Sequence, residues 1–515
     1  MAGFFDLSSP CLEADSSPAP ETETRKAARL HSAIMTVELG LVVASLQPDC
    51  ARTGGDAGLS GDFFRGQIPA NIGNLTSLKA LNLSGSFQGD VQIPTTLGNL
   101  CNLHTLVLSQ FNLSLELAKL GRIFSGCLKH SLVELDLSYT SLHGSLPKWL
   151  KNLTNLKSLD LSSNKIKSTL PPWLYKLSRL ENLNLASNAL QGRDILANIG
   201  DFLSSLKFLD LSYNDPGLSL PTTIGNLCKL QGLFLSGLNL SKEAAKFKQI
   251  FSGCIAQSLR MLSLSETYLG GDMPDWIGGL KNLQLLDLHS NQINSTLPPW
   301  LFNLTTIAYL DLSYNDFHGS IPSLFENMIS LEILVLGGNS HLEGPIPVTL
   351  GKLCKLQELH LFNINFSQNF HDYGNIFSGC IRNSLQGLGL SNTSLSGHFP
   401  NEIWNLKSLL GLDIGQNSLS GSIPTEIGRL SSVRYLNLSN NQLSGAIPKS
   451  LRQLSHLMYL DLEHNNLESV SSEDHLAIPE LLVDLSLSMN KINERTPSKG
   501  HALDLKSLLW IEVQQ

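Results

Sequence analysis

One short pattern of apolar and polar positions recurs from residue 78 to residue 490. Written L-x-x-L-x-L-x-x-N, with Ile or Val for some Leu, it starts at Leu78, Leu103, Leu132, Leu156, Leu180, Leu206, Leu230, Leu259, Leu283, Ile307, Leu331, Leu356, Leu385, Leu409, Val433, Leu457 and Leu482. These 17 starts lie 24 to 26 residues apart, apart from three intervals of 29. Alternation across x-L-x-L-x predicts a short strand with one face buried. A single repeat cannot hold itself together. Burying about six Leu or Ile side chains contributes about 1.5–3 kcal/mol each, while ordering about 24 residues costs about 1–2 kcal/mol per residue. Each coil must be covered by the next, so the pattern predicts a stack with its strands parallel and side by side.

The rest of each repeat is patterned too. Most carry a Gly-x-[Ile/Leu]-Pro-like element after the strand, as at Gly144–Pro147, Gly319–Pro322 and Gly421–Pro424. Twelve prolines fall at this point: Pro69, Pro94, Pro147, Pro171, Pro221, Pro274, Pro298, Pro322, Pro347, Pro400, Pro424 and Pro448. Proline fixes φ and has no N–H, which suits a corner or the first turn of a short helix. Ten repeats hold Asn at the ninth position: Asn164, Asn188, Asn214, Asn291, Asn315, Asn339, Asn417, Asn441, Asn465 and Asn490. An inward amide there can satisfy backbone groups of the loops leaving the strands.

A longer period lies above the first. Blocks of five repeats open at Leu103, Leu230 and Leu356, 127 and 126 residues apart. Each opens with Leu-Cys-x-Leu and a 29-residue repeat containing Phe-Ser-Gly-Cys, at Phe124–Cys127, Phe251–Cys254 and Phe377–Cys380. The opening repeats replace the ninth-position Asn with Phe111, Leu238 and Ile364, and the following repeats use Thr140, Thr267 and Thr393. These coils are expected to leave the strand by a different route. The blocks imply duplication of a five-repeat unit.

Composition narrows the function. The chain holds 103 Leu in 515 residues, and only 16% of residues are charged, against about 25% in ordinary soluble proteins. An apolar content of 42% excludes disorder for the bulk. With 36 Lys and Arg against 44 Asp and Glu, a basic nucleic-acid binder is excluded. No stretch is long and apolar enough for a membrane helix. Nucleophile elbows, phosphate loops, zinc-protease motifs and kinase loops are missing, so no enzyme activity and no cofactor are expected. No C-x-x-C or H-x-x-x-H spacing points to a metal.

Several residue sets carry more than one reading. Six cysteines form pairs at a constant gap of 26: Cys101/Cys127, Cys228/Cys254 and Cys354/Cys380. A gap near one period puts both members on adjacent coils, so each pair is either a disulfide staple opposite the sheet or two buried thiols. Trp149, Trp173, Trp276, Trp300 and Trp404 follow the Pro element, and read as ribs between coils rather than a ligand platform. Asp136, Asp160, Asp210, Asp287, Asp311, Asp413 and Asp461 recur in Leu-Asp-[Leu/Ile]. Such a row suits a basic ligand, but it is also ordinary in this kind of repeat. A sheet with solvated x positions is a binding surface rather than a reaction centre. Its large exposed candidates are Tyr139, Phe208, Tyr213, Phe234, Tyr309, Tyr314, Phe362, Tyr435 and Tyr459, joined by His289, His360 and His464. Aromatic side chains of this kind anchor peptides and proteins.

The L-x-G-x-I-P signature, as at Leu419–Pro424 and Leu443–Pro448, resembles the plant-specific class of leucine-rich repeat over about residues 59–490. The implied fold is an α/β solenoid: a right-handed superhelix with a concave parallel sheet and short helical or 3-10 turns on the convex side. The Gly98–Leu103 segment, the Phe-Ser-Gly-Cys segments and Val470–Leu476 resemble plant receptor-like proteins, in the group that includes receptors for fungal xylanase. That resemblance implies a receptor at the plasma membrane or outside the cell, in defence or developmental signalling. It would bind an extracellular peptide or protein and signal through a partner co-receptor kinase. A secreted inhibitor of microbial wall-degrading hydrolases, or a non-signalling receptor fragment, is the alternative. Ten N-x-[S/T] sequons are then candidate glycan sites: Asn74, Asn82, Asn112, Asn152, Asn239, Asn294, Asn303, Asn365, Asn392 and Asn437. Residues 1–58 show no clear signal peptide or Cys-flanked cap and read as a flexible segment. Residues 491–515 read as a tail or the start of a further repeat, so the chain looks truncated at both ends relative to that family.

Overall fold

The computed structural model describes residues 56–58, 68–85, 92–192, 199–468, 479 and 481–491. The chain divides into two compact units, Met1–Leu259 and Arg260–Gln515, and each is a leucine-rich repeat solenoid. In the first, eight strands pair in chain order, all parallel: Asp56–Gly58, Ala80–Asn82, Thr105–Val107, Glu134–Asp136, Ser158–Asp160, Asn182–Asn184, Phe208–Asp210 and Gly232–Phe234. In the second, ten parallel strands run from Met261–Ser263 to Asp484–Ser486. The second leucine of each strand motif points into the coil; Leu286, Leu310 and Leu334 have no exposed surface. Asp56–Gly58 pairs with Ala80–Asn82, so the ladder begins inside the segment set apart by the sequence reading. The rest of that segment, residues 492–515 and Val470–Leu476 lie outside the described residues.

Each of the twelve prolines caps a five-residue 3-10 helix, with φ between −61° and −79°. The fixed φ of proline turns the chain into the helix without straining it. The glycine three residues before proline is left-handed, as at Gly144, Gly319 and Gly421, where φ is 75°, 83° and 85°; a side chain there would be strained. This glycine lies on a second, shorter ladder beside the main sheet. In the second unit that ladder includes a four-stranded sheet of Ser396–Gly397, Ser418–Ser422, Gln442–Ala446 and Asn466–Glu468.

The 29-residue repeats depart from this plan. Their extra residues form the α-helices Leu117–Ile123 and Ala244–Ile250, and in the third block a 3-10 turn Phe370–Tyr373 followed by Gly374–Ser378. Cys101–Cys127, Cys228–Cys254 and Cys354–Cys380 are bonded in the structure. Each bond joins the residues after one coil's 3-10 helix to the helical connection of the next coil. Trp149 stacks on Phe124 of the preceding coil at 4.5 Å, and Trp404 is fully buried against Phe399.

The asparagines form the expected ladder. Asn164 Nδ2 donates to the carbonyls of Leu137, Leu161 and Ser162 at 2.8, 3.0 and 3.1 Å, and its Oδ1 accepts from Leu142 N at 2.9 Å. Thr140 joins this ladder rather than breaking it: its hydroxyl donates to Leu137 O at 2.6 Å and to Asn164 Oδ1 at 3.0 Å. The route still changes, because a second left-handed residue accompanies the threonine, Ser141, Tyr268 or Ser394 with φ of 57°, 60° and 56°.

Candidate functional site

The alternate side chains of every strand emerge on the strand face, and the structure gathers the candidates there into separate groups. In the first unit, Phe208 and Phe234 lie over Gly232: a Cβ added to that glycine would meet Phe208 Cδ1 at 2.6 Å and Phe234 Cε2 at 3.0 Å. Tyr213 lies over Gly237 in the same way, at 2.6 Å. Tyr139 stands exposed three coils earlier in that unit.

In the second unit, Tyr314 and Phe362 lie 5.6 Å apart over Gly337 and Gly338. Any Cβ at either glycine would collide with a ring, so these glycines form a floor on which the aromatics rest. Tyr435 and Tyr459 face each other across adjacent strands and stack at 4.7 Å with planes 6° apart. Burial, reinforced by Asp461, pushes the Tyr459 hydroxyl up to about 12. His360 Nε2 meets Glu358 Oε2 at 3.1 Å, and the two side chains cover Gly389 and Gly387. His464 pairs with Glu463 at 3.0 Å.

His289 and Tyr309 belong to a further group, with Asp287 and Asp311. The two aspartates are register partners on adjacent strands. Ligand atoms of Asp287, His289 and Asp311 lie within 4.8 Å of one another, and Tyr309 Oη reaches Asp311 Oδ2 at 3.4 Å. Asp287 is pushed up by burial but held below the usual carboxylate range by bonds from His289 and Ser263, while His289 is raised by its bond to Asp287. Burial raises Asp136, Asp210, Asp311 and Asp413.

Tyr139, Tyr213, Tyr314 and His464 share an unusual backbone. All occupy the eighth repeat position, where φ is 55°, 54°, 52° and 52°. Other repeats fill this position with Ser163, Ser187, Ser290, Asn440 or Gly338. A bulky side chain in the left-handed region is costly. Tyr139, Tyr213 and Tyr314 nonetheless hold that position 63%, 48% and 54% exposed.

The sequence reading missed the glycine floors and the pairing of Asp287 with Asp311. A signal was present: Phe208 and Gly232, Tyr213 and Gly237, and Tyr314 and Gly338 are each 24 residues apart, one coil. Eight of the ten sequon asparagines are exposed, whereas Asn82 and Asn437 are half-buried on strands and accept from Ser84 and Ser439. Asn294 and Asn365 line a groove of about 620 Å³ beside His318, His341 and Glu343.

Stacked coils, a strand face studded with exposed aromatics, and an acidic row define a repeat scaffold for binding. The chain belongs to the leucine-rich repeat family: it matches the leucine-rich repeat region family over residues 254–388 and the leucine rich repeat family over 130–190 and 431–492. It is similar to the plant peptide hormone receptor RGFR1 solved in complex with RGF2, with 30% identity and a TM-score of 0.56 over 84% of this chain and 70% of that one. The ectodomain of the Arabidopsis thaliana membrane receptor kinase GASSHO1/SCHENGEN3, solved with CASPARIAN STRIP INTEGRITY FACTOR 2, is 27% identical with a TM-score of 0.59; the match covers 84% of this chain and 61% of that one. The Arabidopsis receptor kinase HAESA, solved with the peptide hormone IDA and the co-receptor SERK1, is 25% identical with a TM-score of 0.51, over 85% and 78%. No curated protein matches the chain. Among the described residues, no helix is long and apolar enough to cross a membrane.

Proposed function

We propose that this chain is the ligand-binding ectodomain of a plant leucine-rich repeat receptor-like protein. It recognises an extracellular peptide or protein on its strand face and signals through a co-receptor kinase. The observation that carries this reading is the set of aromatics resting on glycine floors, above all the exposed Tyr314 beside the half-buried Phe362 over Gly337 and Gly338. The core does not call for them, since serine, asparagine and glycine fill the equivalent position elsewhere. Rigid aromatics of this kind bury much area on contact at little entropic cost. The solved relatives that hold peptides support the same reading. The receptor resemblance supports a location outside the cell or at the plasma membrane.

The test is site-specific photo-crosslinking in extracellular plant fluid. A photoreactive residue at Tyr314 or Phe362 is expected to capture a discrete peptide or protein. The same residue at Val348, on a 3-10 helix, serves as the control. Equal capture from Val348, or none from the strand face, would remove the receptor reading.

A further inference from the structure

The second unit carries an excess of negative charge on its strand face. At the outward strand positions of its ten repeats (second, third, fifth, seventh and eighth) stand nine carboxylates and only two arginines, Arg260 and Arg434; Asp287 and Asp311 among them are largely covered by neighbouring side chains. The same positions of the seven repeats in the first unit hold five carboxylates and three lysines. Two of those lysines, Lys157 and Lys207, bond to Glu181 at 3.0 and 2.6 Å. In the second unit four of the nine acids instead meet histidines: Asp287 and Glu266 meet His289, Glu358 meets His360, and Glu463 meets His464.

The backbone turn at the fifth position does not need this charge. At the fifth position Asp311 Oδ1 accepts from Ser313 N at 2.9 Å and from the Ser313 hydroxyl, closing a turn. Asn437 closes the same turn with Ser439 N at 3.0 Å, and Asn184 with Ala186 N at 3.1 Å. Val335, His360 and Gly389 fill the position in neighbouring coils. An uncharged side chain therefore serves the backbone as well. What aspartate adds is a negative charge held next to another on the adjacent strand, and a second oxygen, which on Asp287 accepts from the Ser263 hydroxyl at 2.8 Å and on Asp311 lies 3.4 Å from Tyr309 Oη.

We propose that the strand face of the second unit receives a cationic, extended peptide, with the Asp287–Asp311 pair taking a guanidinium or ammonium head beside Tyr309 and the Tyr314–Phe362 shelf. Paired carboxylates match the fork of a guanidinium, and aromatic faces add cation–π attraction. A single divalent ion fits less well. Asp287 Oδ1 already accepts from both the backbone and the ring of His289, at 3.1 and 2.8 Å, and Asp311 Oδ1 is committed to Ser313. A hard cation takes six or more oxygens, and an excess spread over ten coils suits a chain of charges better than one point. This inference rests on the peptide-binding reading above and gives its ligand a sign.

The test uses the full chain and three synthetic twelve-residue peptides of one sequence, with arginine, citrulline or glutamate at every third position. The arginine peptide is expected to bind at least tenfold more tightly than the citrulline peptide, with the gap closing as salt is raised. The double variant Asp287→Asn/Asp311→Asn keeps both turns. It should lose that preference while its circular-dichroism spectrum and its citrulline affinity do not change. Equal affinity for the arginine and citrulline peptides, or an unchanged preference in the variant, overturns the assignment. So does a calcium- or magnesium-dependent rise in melting temperature that the variant abolishes and the arginine peptide does not oppose, because the pair would then serve a metal. If charge selectivity fails while crosslinking from Tyr314 still captures a partner, this inference falls and the receptor reading stands. Crosslinking confined to Val348 removes the receptor reading and this inference with it.

Discussion

At the scale of single residues, the fifth-position aspartate separates what the backbone requires from what it tolerates. Burial raises Asp311 above the ordinary carboxylate value, and the charge of Asp287 adds to the shift. An acid raised on folding binds more protons folded than unfolded, so stability falls as pH climbs from the unfolded value through the folded one. Asp311→Asn should therefore raise the melting temperature at pH 7 and leave it near the wild-type value at pH 3; equal shifts at both would contradict the argument. His289 and Asp287 run the opposite way. The histidine contributes stability below its unfolded value that is lost as pH rises through its raised folded one. The aspartate contributes above its unfolded value and loses this as pH falls through its lowered one. Their pairing thus supports the fold in the mildly acidic window between. The recurrence of this aspartate was visible in the sequence. Its two-sided bonding was not, because the partner of each oxygen is chosen by residues two positions on and one coil away.

At the scale of the element, each coil is defined by where its backbone polar groups go. The leucines, the twelve prolines and the asparagine ladder were all legible, because each acts at a fixed position inside a 24-residue period. The α-helices of the 29-residue repeats were foreseen only as a change of route, since five added residues do not say how they will fold. The Cys pairs were legible as a spacing but not as a bond. Spacing puts two sulfurs on adjacent coils without fixing their distance. Cys354 and Cys380 enclose a loop of about 25 residues, for which a crosslink contributes about 3.5 kcal/mol. The double variant Cys354→Ser/Cys380→Ser is expected to lower stability by about 2–4 kcal/mol, read by denaturant unfolding. Unreduced peptide mapping should recover the three linked pairs from the wild type. Recovery of free thiols together with an unchanged midpoint would remove the staples from the account.

At the scale of the whole molecule, long-range order is built from local contacts, and stability is close to a sum over neighbours. This is why the fold could be read from one chain while the binding groups could not. The buried positions repeat, whereas the exposed ones are where the repeats differ. Tyr314 and Phe362 come from coils two apart, and only the glycines between them let the rings meet. The three blocks carry a further consequence. The second and third open on the same tetrapeptide, Leu227-Cys228-Lys229-Leu230 and Leu353-Cys354-Lys355-Leu356. A deletion of residues 230–355 would rejoin the chain at an identical junction, 126 residues shorter, with no turn thrown out of phase. Such a chain is expected to be expressed folded and to melt cooperatively, whereas a deletion 12 residues longer should not, and circular dichroism melting distinguishes the two. Unequal exchange between blocks can thus recut the outward-facing chemistry in one step without inventing a new scaffold, a means of changing what is recognised while keeping the architecture that recognises it.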